Sequence, residues 1–299
     1  MSRTTPTWDI ALIGHYTKDT IVSAAGKRVV DGGACNYGAN VASRMGLRTG
    51  VVTRLAEEDL HVVEEIRRLG VEVHARVTPA STCLRLEYPT SNVDERVITV
   101  TSTAGPFTTA EVEALEARVF LIGASLRGEV SLEVVEALAR KETLLAADVQ
   151  GFLRVVRDGV LVGEAWPEKQ QVLAHLDVLK TDAVEAELLT GESDMRVAAQ
   201  MIADQGPSEV VLTHRDGLLV LAEGQFHEAP FFPRELIGRS GRGDTTIAAY
   251  MSKRLTAPPS EATIWAAAVV SLKMEAEGPF RREIDEVENL ISRKYTLNS

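Results

Sequence analysis

The chain has 299 residues, 45% hydrophobic and 25% charged, with a formal net charge of −11, which suits one large α/β domain with or without a small appendage. The acidic balance argues against nucleic acid or an anionic membrane as the main partner, and no run of about 18 or more apolar residues is present to span a membrane. Two cysteines, Cys35 and Cys83, give neither a metal-binding spacing nor a disulfide framework; with no signal-peptide pattern at the start, a reduced, cytoplasmic protein is expected.

"WDIALIGHY" reads as the first strand, ending at Gly14. "DTIVSAAGKRVVDGG" follows as two short β-rich pieces around a turn at Gly26. "ACNYGANVASRMG" is predicted helical, with Gly46 as its stop. "TGVVTRLA" is a buried strand and "EEDLHVVEEIRRLG" an amphipathic helix closed by Gly70. After residue 105 the alternation continues through "RVFLIGA", "SLEVVEALARK", "TLLAADV", "VLAHLDVLKTD", "AVEAELLTG" and "SEVVLTH". Such βα alternation predicts a mainly parallel sheet with helices on both faces. Residues 73–103 break the rhythm with three β-rich pieces and no helix. Together with 19–31 they are predicted to form a small sheet inserted into a core of 1–18, 32–72 and 104–299. "DTTIAAYMSKRL" and "SEATIWAAAVVSLKMEAEG" read as two closing helices, the second apolar over much of its surface.

The chemistry centres on "GRSGRGDTT" at 238–246. Gly241 and Gly243 permit unusual backbone angles and close approach of a ligand. A helix starting near Asp244 would turn its first N–H groups and its dipole towards that loop, making an anion site. Two readings of Asp244 stay open at this point: a helix N-cap, or a functional carboxylate. The loop lacks the Gly-Lys-Ser/Thr ending of a Walker motif. Its Arg-Gly-Asp tripeptide is also an adhesion motif, which the lack of a secretion signal makes a coincidence. Asp182 and Glu185, three apart at a helix start, either complement that helix's dipole or work in a site. The six histidines show no metal spacing, and Cys35 reads as a packed thiol.

Taken together, these pieces resemble the PfkB, or ribokinase-like, carbohydrate kinases. "GRSGRGD" is similar to that family's Gly-Ala-Gly-Asp signature, and "IALIGHYTKDTIV" to its first strand, with Gly14 followed five residues later by Asp19. "DGGACNYGANVASRMG" resembles the N-terminal signature, with Gly32 and Gly33 as its glycine pair. "AADVQGFLR" looks like the Asp-Pro-Asn-x-x-Arg region, giving Asp148, Gln150 and Arg154, and "LKTDAVEAELLTG" like the Asn-x-x-Glu motif, giving Asp182 and Glu185. "VVLTH" with Gly217 resembles the strand and loop beside the nucleotide. The likeness runs from about residue 8 to 290, and the motifs occur in the family's order.

The resemblance implies a ribokinase-like three-layer α/β/α core with a β lid that keeps water from the reaction. It implies an ATP-dependent kinase transferring the γ-phosphate to a hydroxyl of a small sugar, polyol or nucleoside. Asp244 would be the base, and Gly241, Arg242 and Gly243 the anion hole. Asp19, Gly32, Gly33, Asn36 and Tyr37 would hold the acceptor. Asp148, Arg154, Asp182, Glu185, Thr213 and Gly217 would bind ATP, with Glu185 and Asp182 organising Mg²⁺ through water and a monovalent cation as an optional addition. A catalytically weak nucleotide or sugar sensor is the alternative, and a homodimer through the lid is left open. The chain departs from the family pattern at Gly238, Arg239 and Ser240, where Asp-Thr-Thr is usual, and at Arg242, which replaces an alanine. Arg242 either contacts a phosphate or points to solvent. Tyr37 falls where an asparagine is usual, with Asn36 one residue earlier; Asp182 stands for an asparagine, and "HRDG" after Thr213 lacks an early glycine.

Overall fold

The computed structural model describes residues 7–24, 26–89, 96–238 and 240–295; Ala25 and the stretch 90–95 of the expected lid, and Arg239 of the loop, lie outside the described residues. In chain order β1 (Trp8–Ile13) is followed by the hairpin of β2 (Thr17–Ser23) and β3 (Gly26–Gly32), then α1 (Ala34–Arg44) and β4 (Thr49–Leu55). Next come α2 (His61–Arg68), β5 (Glu72–Val77), β6 (Thr82–Glu87), β7 (Val97–Ser102), β8 (Ala117–Ile122) and α3 (Leu132–Ala139). The middle of the chain forms β9 (Leu144–Asp148), α4 (Gln150–Leu153), β10 (Arg154–Arg157), β11 (Val160–Gly163) and α5 (Lys169–Leu173). It continues through β12 (Val178–Asp182), α6 (Ala183–Thr190), α7 (Met195–Ala203), β13 (Glu209–Thr213), β14 (Gly217–Ala222) and β15 (Gln225–Pro230). Three helices close it: α8 (Arg242–Arg254), α9 (Pro259–Met274) and α10 (Ile284–Lys294).

Alternation along β1 sets the layering, because successive side chains leave opposite faces of a strand. Ile10 and Leu12 join one core cluster, with Ile247 and Tyr250 of α8, Trp265 of α9 and Val287 of α10. Ala11 and Ile13 join the other, with Val134 of α3, Val172 of α5, Ala186 of α6 and Ile202 of α7. A nine-stranded sheet in the order β15-β14-β13-β12-β9-β8-β1-β4-β5 thus lies between two helical layers. Its pairings from β13 to β5 are parallel, and β14 and β15 add an antiparallel edge. Burial on both faces explains why these strands read as nearly continuous apolar runs.

A second sheet of six strands runs β10-β11-β7-β6-β2-β3, antiparallel except between β6 and β2. This is the lid, with membership that differs from the expected 19–31 and 73–103. β5 hydrogen-bonds in parallel with β4 and ends the main sheet, so residues 72–77 belong to the core. The lid gains the hairpin β10–β11, whose Val160 pairs with Thr99 of β7. Its turn sits at Asp158 and Gly159, both at positive φ, the chemistry a tight hairpin turn requires. Among the described residues no helix is long and apolar enough to cross a membrane.

Candidate active site

Parallel α/β sheets present ligands at the carboxyl ends of their strands, and the expected residues gather there. β9 ends at Asp148, β12 at Asp182 and β13 at Thr213, while the chain leaving β1 enters β2 and Asp19. α8 approaches the same edge with its N-terminus.

That helix begins at Arg242, with Gly241 as its N-cap at φ 74°. Asp244 is therefore the third residue of the helix, and no side chain caps it. The cap reading of Asp244 fails, and the first-turn N–H groups keep the anion-binding character of an uncapped helix end. Close approach and a left-handed backbone require Gly241, and Gly243 lies against the end of a lysine side chain. A Cβ on Gly241 would lie 2.2 Å from the Tyr37 ring, and one on Gly243 would lie 2.6 Å from Lys180 Nζ. The loop is seated on these two side chains.

Above it lies a cleft of about 470 Å³ lined by five cationic side chains, Arg96, Arg154, Lys180, Arg215 and Arg242, against the carboxylates of Asp182 and Asp244. Arg242 is half-buried at this cleft. In a protein of net charge −11, so basic a cleft is a local concentration of positive field. Thr213 lines it too, with Oγ1 donating to Thr181 O at 3.4 Å. Gly217 lies at the start of β14, pressed against β15, where a Cβ would meet Ala229 O at 2.5 Å; it is not among the cleft residues.

Lys180 was not singled out from the sequence. It lies inside β12 at 3% exposure, with Nζ 2.9 Å from Asp148 Oδ2 and 4.0 Å from Glu185 Oε2. Burial pulls its ammonium down, but Asp148, Glu185 and Asp182 outweigh this and hold it above the ordinary lysine range. Asp148 is fully buried behind it and anchors the lysine rather than lining the cleft. Burial likewise pushes the Asp244 carboxyl above the usual carboxylate range, opposed by Lys180, Arg154 and Lys273. Gln150 Nε2 donates to Asp244 Oδ1 at 3.4 Å.

Asp182 and Glu185 form a capping box at the start of α6. Asp182 Oδ1 accepts from Glu185 N at 2.8 Å, and Glu185 Oε2 accepts from Asp182 N at 3.0 Å. Glu185 Oε1 also takes Arg154 Nη2 at 3.3 Å. Both carboxylates thus have structural work. Among the described residues no group of three or more His, Cys, Asp or Glu surrounds a common point. The carboxylate of Asp182 lines the cleft, while Glu185 is held by Asp182 and Arg154.

On the lid side Asp19 is 6% exposed, and its Oδ1 has no hydrogen-bond partner among the described residues. Burial raises its carboxyl to about 6, with a Thr17 hydrogen bond opposing and Asp244 adding repulsion. Gly32 lies directly over it, where a Cβ would fall 2.6 Å from Asp19 Oδ2. Gly33, at φ 92°, caps α1. Asn36 is occupied at both ends, its Nδ2 donating to Asp31 O at 3.0 Å and its Oδ1 accepting from Asn40 Nδ2 at 3.2 Å. Asn36 therefore ties the loop to α1 and the Tyr37 ring seats Gly241, while Asp19 Oδ1 keeps an open acceptor. Arg96 connects the two halves, lining the cleft and attracting Asp19.

Asp19 also has a stability consequence. Its folded pKa lies above the ordinary 3.8, so the native state binds the extra proton and stability falls as pH rises from 3.8 to about 6. Asp19→Asn is expected to remove that slope and to stabilise the fold at neutral pH by on the order of 1–3 kcal/mol. Thermal melts of both proteins across the acid range check it, and an unchanged slope would refute the burial argument.

A family model described as pfkB family carbohydrate kinase matches residues 10–281. The cytidine kinase of Thermococcus kodakarensis is 24% identical over 256 residues, 82% of this chain and 87% of its own. A pyrophosphate-dependent kinase in the ribokinase family, solved with a pyrophosphate analogue and myo-inositol, superposes with TM-score 0.86 at 35% identity, covering 94% of this chain and 99% of the other. A sulfate complex of a pyrophosphate-dependent kinase in the same family gives 0.87 at 36%, covering 93% and 99%. Arabidopsis thaliana ribokinase, complexed with ribose and ATP, shares the fold at TM-score 0.75 and 16% identity, over 98% of this chain and all of its own. The chain belongs to the PfkB family of carbohydrate kinases, and is a ribokinase-like phosphotransferase whose acceptor is an alcohol group of a sugar, polyol or nucleoside.

Proposed function

We propose that this kinase takes its phosphoryl group from inorganic pyrophosphate and passes it to a hydroxyl of a small polyol of the myo-inositol type. The observation that carries the donor is the lining of the cleft. Five cationic side chains face it, and among the described residues Ala183 and Val184 are its only apolar side chains. A purine is bound by apolar and aromatic walls, which are scarce here; a short polyanion needs what this cleft supplies. The pyrophosphate-dependent relatives at 35% and 36% identity support the same donor, and the myo-inositol complex supports the acceptor.

In this reading Lys180, Arg242 and the first-turn N–H groups of α8 hold the transferring phosphoryl, while Arg154, Arg215 and Arg96 hold the leaving phosphate. Asp19 accepts hydrogen bonds from the polyol and orients it towards Asp244. Asp244 takes the proton of the attacking hydroxyl; its raised pKa brings it closer to the alcohol it must deprotonate. A hydrated Mg²⁺ beside Glu185, when bound, would neutralise phosphate charge. Positioning and preorganised charge supply most of the rate in such a reaction.

The test is a matrix of donors (pyrophosphate, ATP) against acceptors (myo-inositol, ribose, cytidine), read as phosphorylated product. The expected result is polyol phosphorylation with kcat/KM for pyrophosphate above that for ATP by on the order of 10²-fold or more. Turnover with ATP and none with pyrophosphate would overturn the donor. Preference for cytidine would transfer the acceptor to nucleosides. Binding without turnover of any pair would favour the sensor alternative.

A further inference from the structure

α9 carries only two charges along its length, Glu261 near its start and Lys273 near its end. Lys273 is 2% exposed. Its ammonium donates to Gly238 O at 2.9 Å and also to Ser240 O, two carbonyls leading into Gly241. The neighbouring Met274 O accepts from Ile237 N at 2.9 Å and Gly238 N at 3.0 Å. The end of α9 therefore grips the entry to the anion loop through both backbone polarities. Nζ also lies 5.5 Å from the centroid of the Tyr37 ring, within cation–π range, and on that ring Gly241 is seated.

Two buried carbonyl oxygens converging on one point need a shared donor or cation, or they are left unsatisfied at a cost. An ammonium with three donors meets that demand, and the C-terminal end of a helix favours a cation. We infer that Lys273 is the loop's built-in cation, a positioning residue whose charge holds the anion loop in its phosphoryl-binding shape and replaces a loosely bound monovalent ion at these carbonyls. The inference rests on the loop being the phosphoryl site. The monovalent cation that the family resemblance allows therefore does not fit here, since Lys273 already occupies the oxygens.

The charged groups acting on Lys273 are Asp244 of α8 and Glu277, just beyond α9. Glu277 is itself paired with Arg28 of β3 at 2.6 Å. Burial pushes the ammonium down to about 8 while Glu277 and Asp244 support it, so the charged form prevails at neutral pH.

The experiment compares wild type with Lys273→Met and Lys273→Arg in K⁺, Na⁺ and tetramethylammonium buffers, using whichever donor and acceptor turn over. Wild-type kcat should be the same in all three. Lys273→Met should lose about 10²-fold in kcat with a smaller change in donor KM. Added K⁺ or methylammonium should restore part of that loss, and the arginine variant should retain more activity than the methionine one. A second readout needs no turnover, so it stands even if the donor reading fails: K⁺ should raise the Tm of Lys273→Met and leave wild type unchanged. A wild-type rate or Tm that depends on K⁺, or a methionine variant with undiminished kcat, overturns the inference. If the methionine variant fails to fold, the wild-type comparison decides alone.

Discussion

Asp244→Asn is expected to lower kcat by about 10²–10⁴-fold and to change the donor KM little. The substitution keeps the shape of the side chain and the possibility of a contact with Gln150, so loop geometry and the cationic cleft persist. What disappears is the carboxylate proposed to take the hydroxyl proton at the mouth of the α8 anion site. Burial keeps the Asp244 carboxyl above the usual range, and under the proposed mechanism its ionised form is the working one. Wild-type kcat should therefore rise with pH through an acid limb lying above that of an ordinary aspartate, and the asparagine variant should lack that limb. Initial rates across the acid range, with circular dichroism to verify folding, decide the matter. Equal kcat in a folded Asp244→Asn protein would remove Asp244 from the chemistry.

The second large effect is expected at Lys180. Lys180→Met leaves the buried carboxylate of Asp148 without the ammonium 2.9 Å away and removes a cation from beneath Gly243. Breaking one partner of a buried pair costs about 3–5 kcal/mol, so urea unfolding should show a loss of that order. The double variant Lys180→Met/Asp148→Asn replaces the stranded charge with a neutral amide and should recover most of the stability. It should not recover activity, because the cleft still lacks the cation under the loop. Recovery of both would make Lys180 a purely structural residue; recovery of neither would mean that the pair contributes more than mutual neutralisation.

How far the sequence could be read follows from which physical signals are local. The βα alternation and the apolar runs are local, so the parallel sheet and its helices were legible, as was the loop at Gly241–Gly243. Pairing partners are not local. "VEVHARV" reads as a strand, but nothing in it says that Glu72–Val77 binds β4 rather than the lid. The hairpin at 154–163 did leave a trace, an Asp158-Gly159 turn between valine-rich flanks, which the Asp-Pro-Asn-x-x-Arg comparison overshadowed. Lys180 and Lys273 escaped notice for a common reason: each is a lone cation within a buried element, and composition alone does not say what it faces. A charge in an otherwise apolar strand or helix was the available clue, since lysine is rarely buried without a partner. Arg96 and Arg215 reach the cleft from a lid loop and from the turn after β13, a convergence that exists only in three dimensions.

The parallel pairing of β2 with β6 bears on how this enzyme could change over time. The chain enters the second sheet on three separate visits, at 17–32, 82–102 and 154–163, and returns to the core between them. Among the described residues no continuous fragment carries that sheet, so transferring it between related kinases would take three separate segments at once. If the lid holds the acceptor as proposed, single substitutions are the simpler route to a new acceptor preference. Grafting experiments that move one segment alone should break the sheet rather than transplant its specificity, whereas substitutions around Asp19 should retune it with the fold intact.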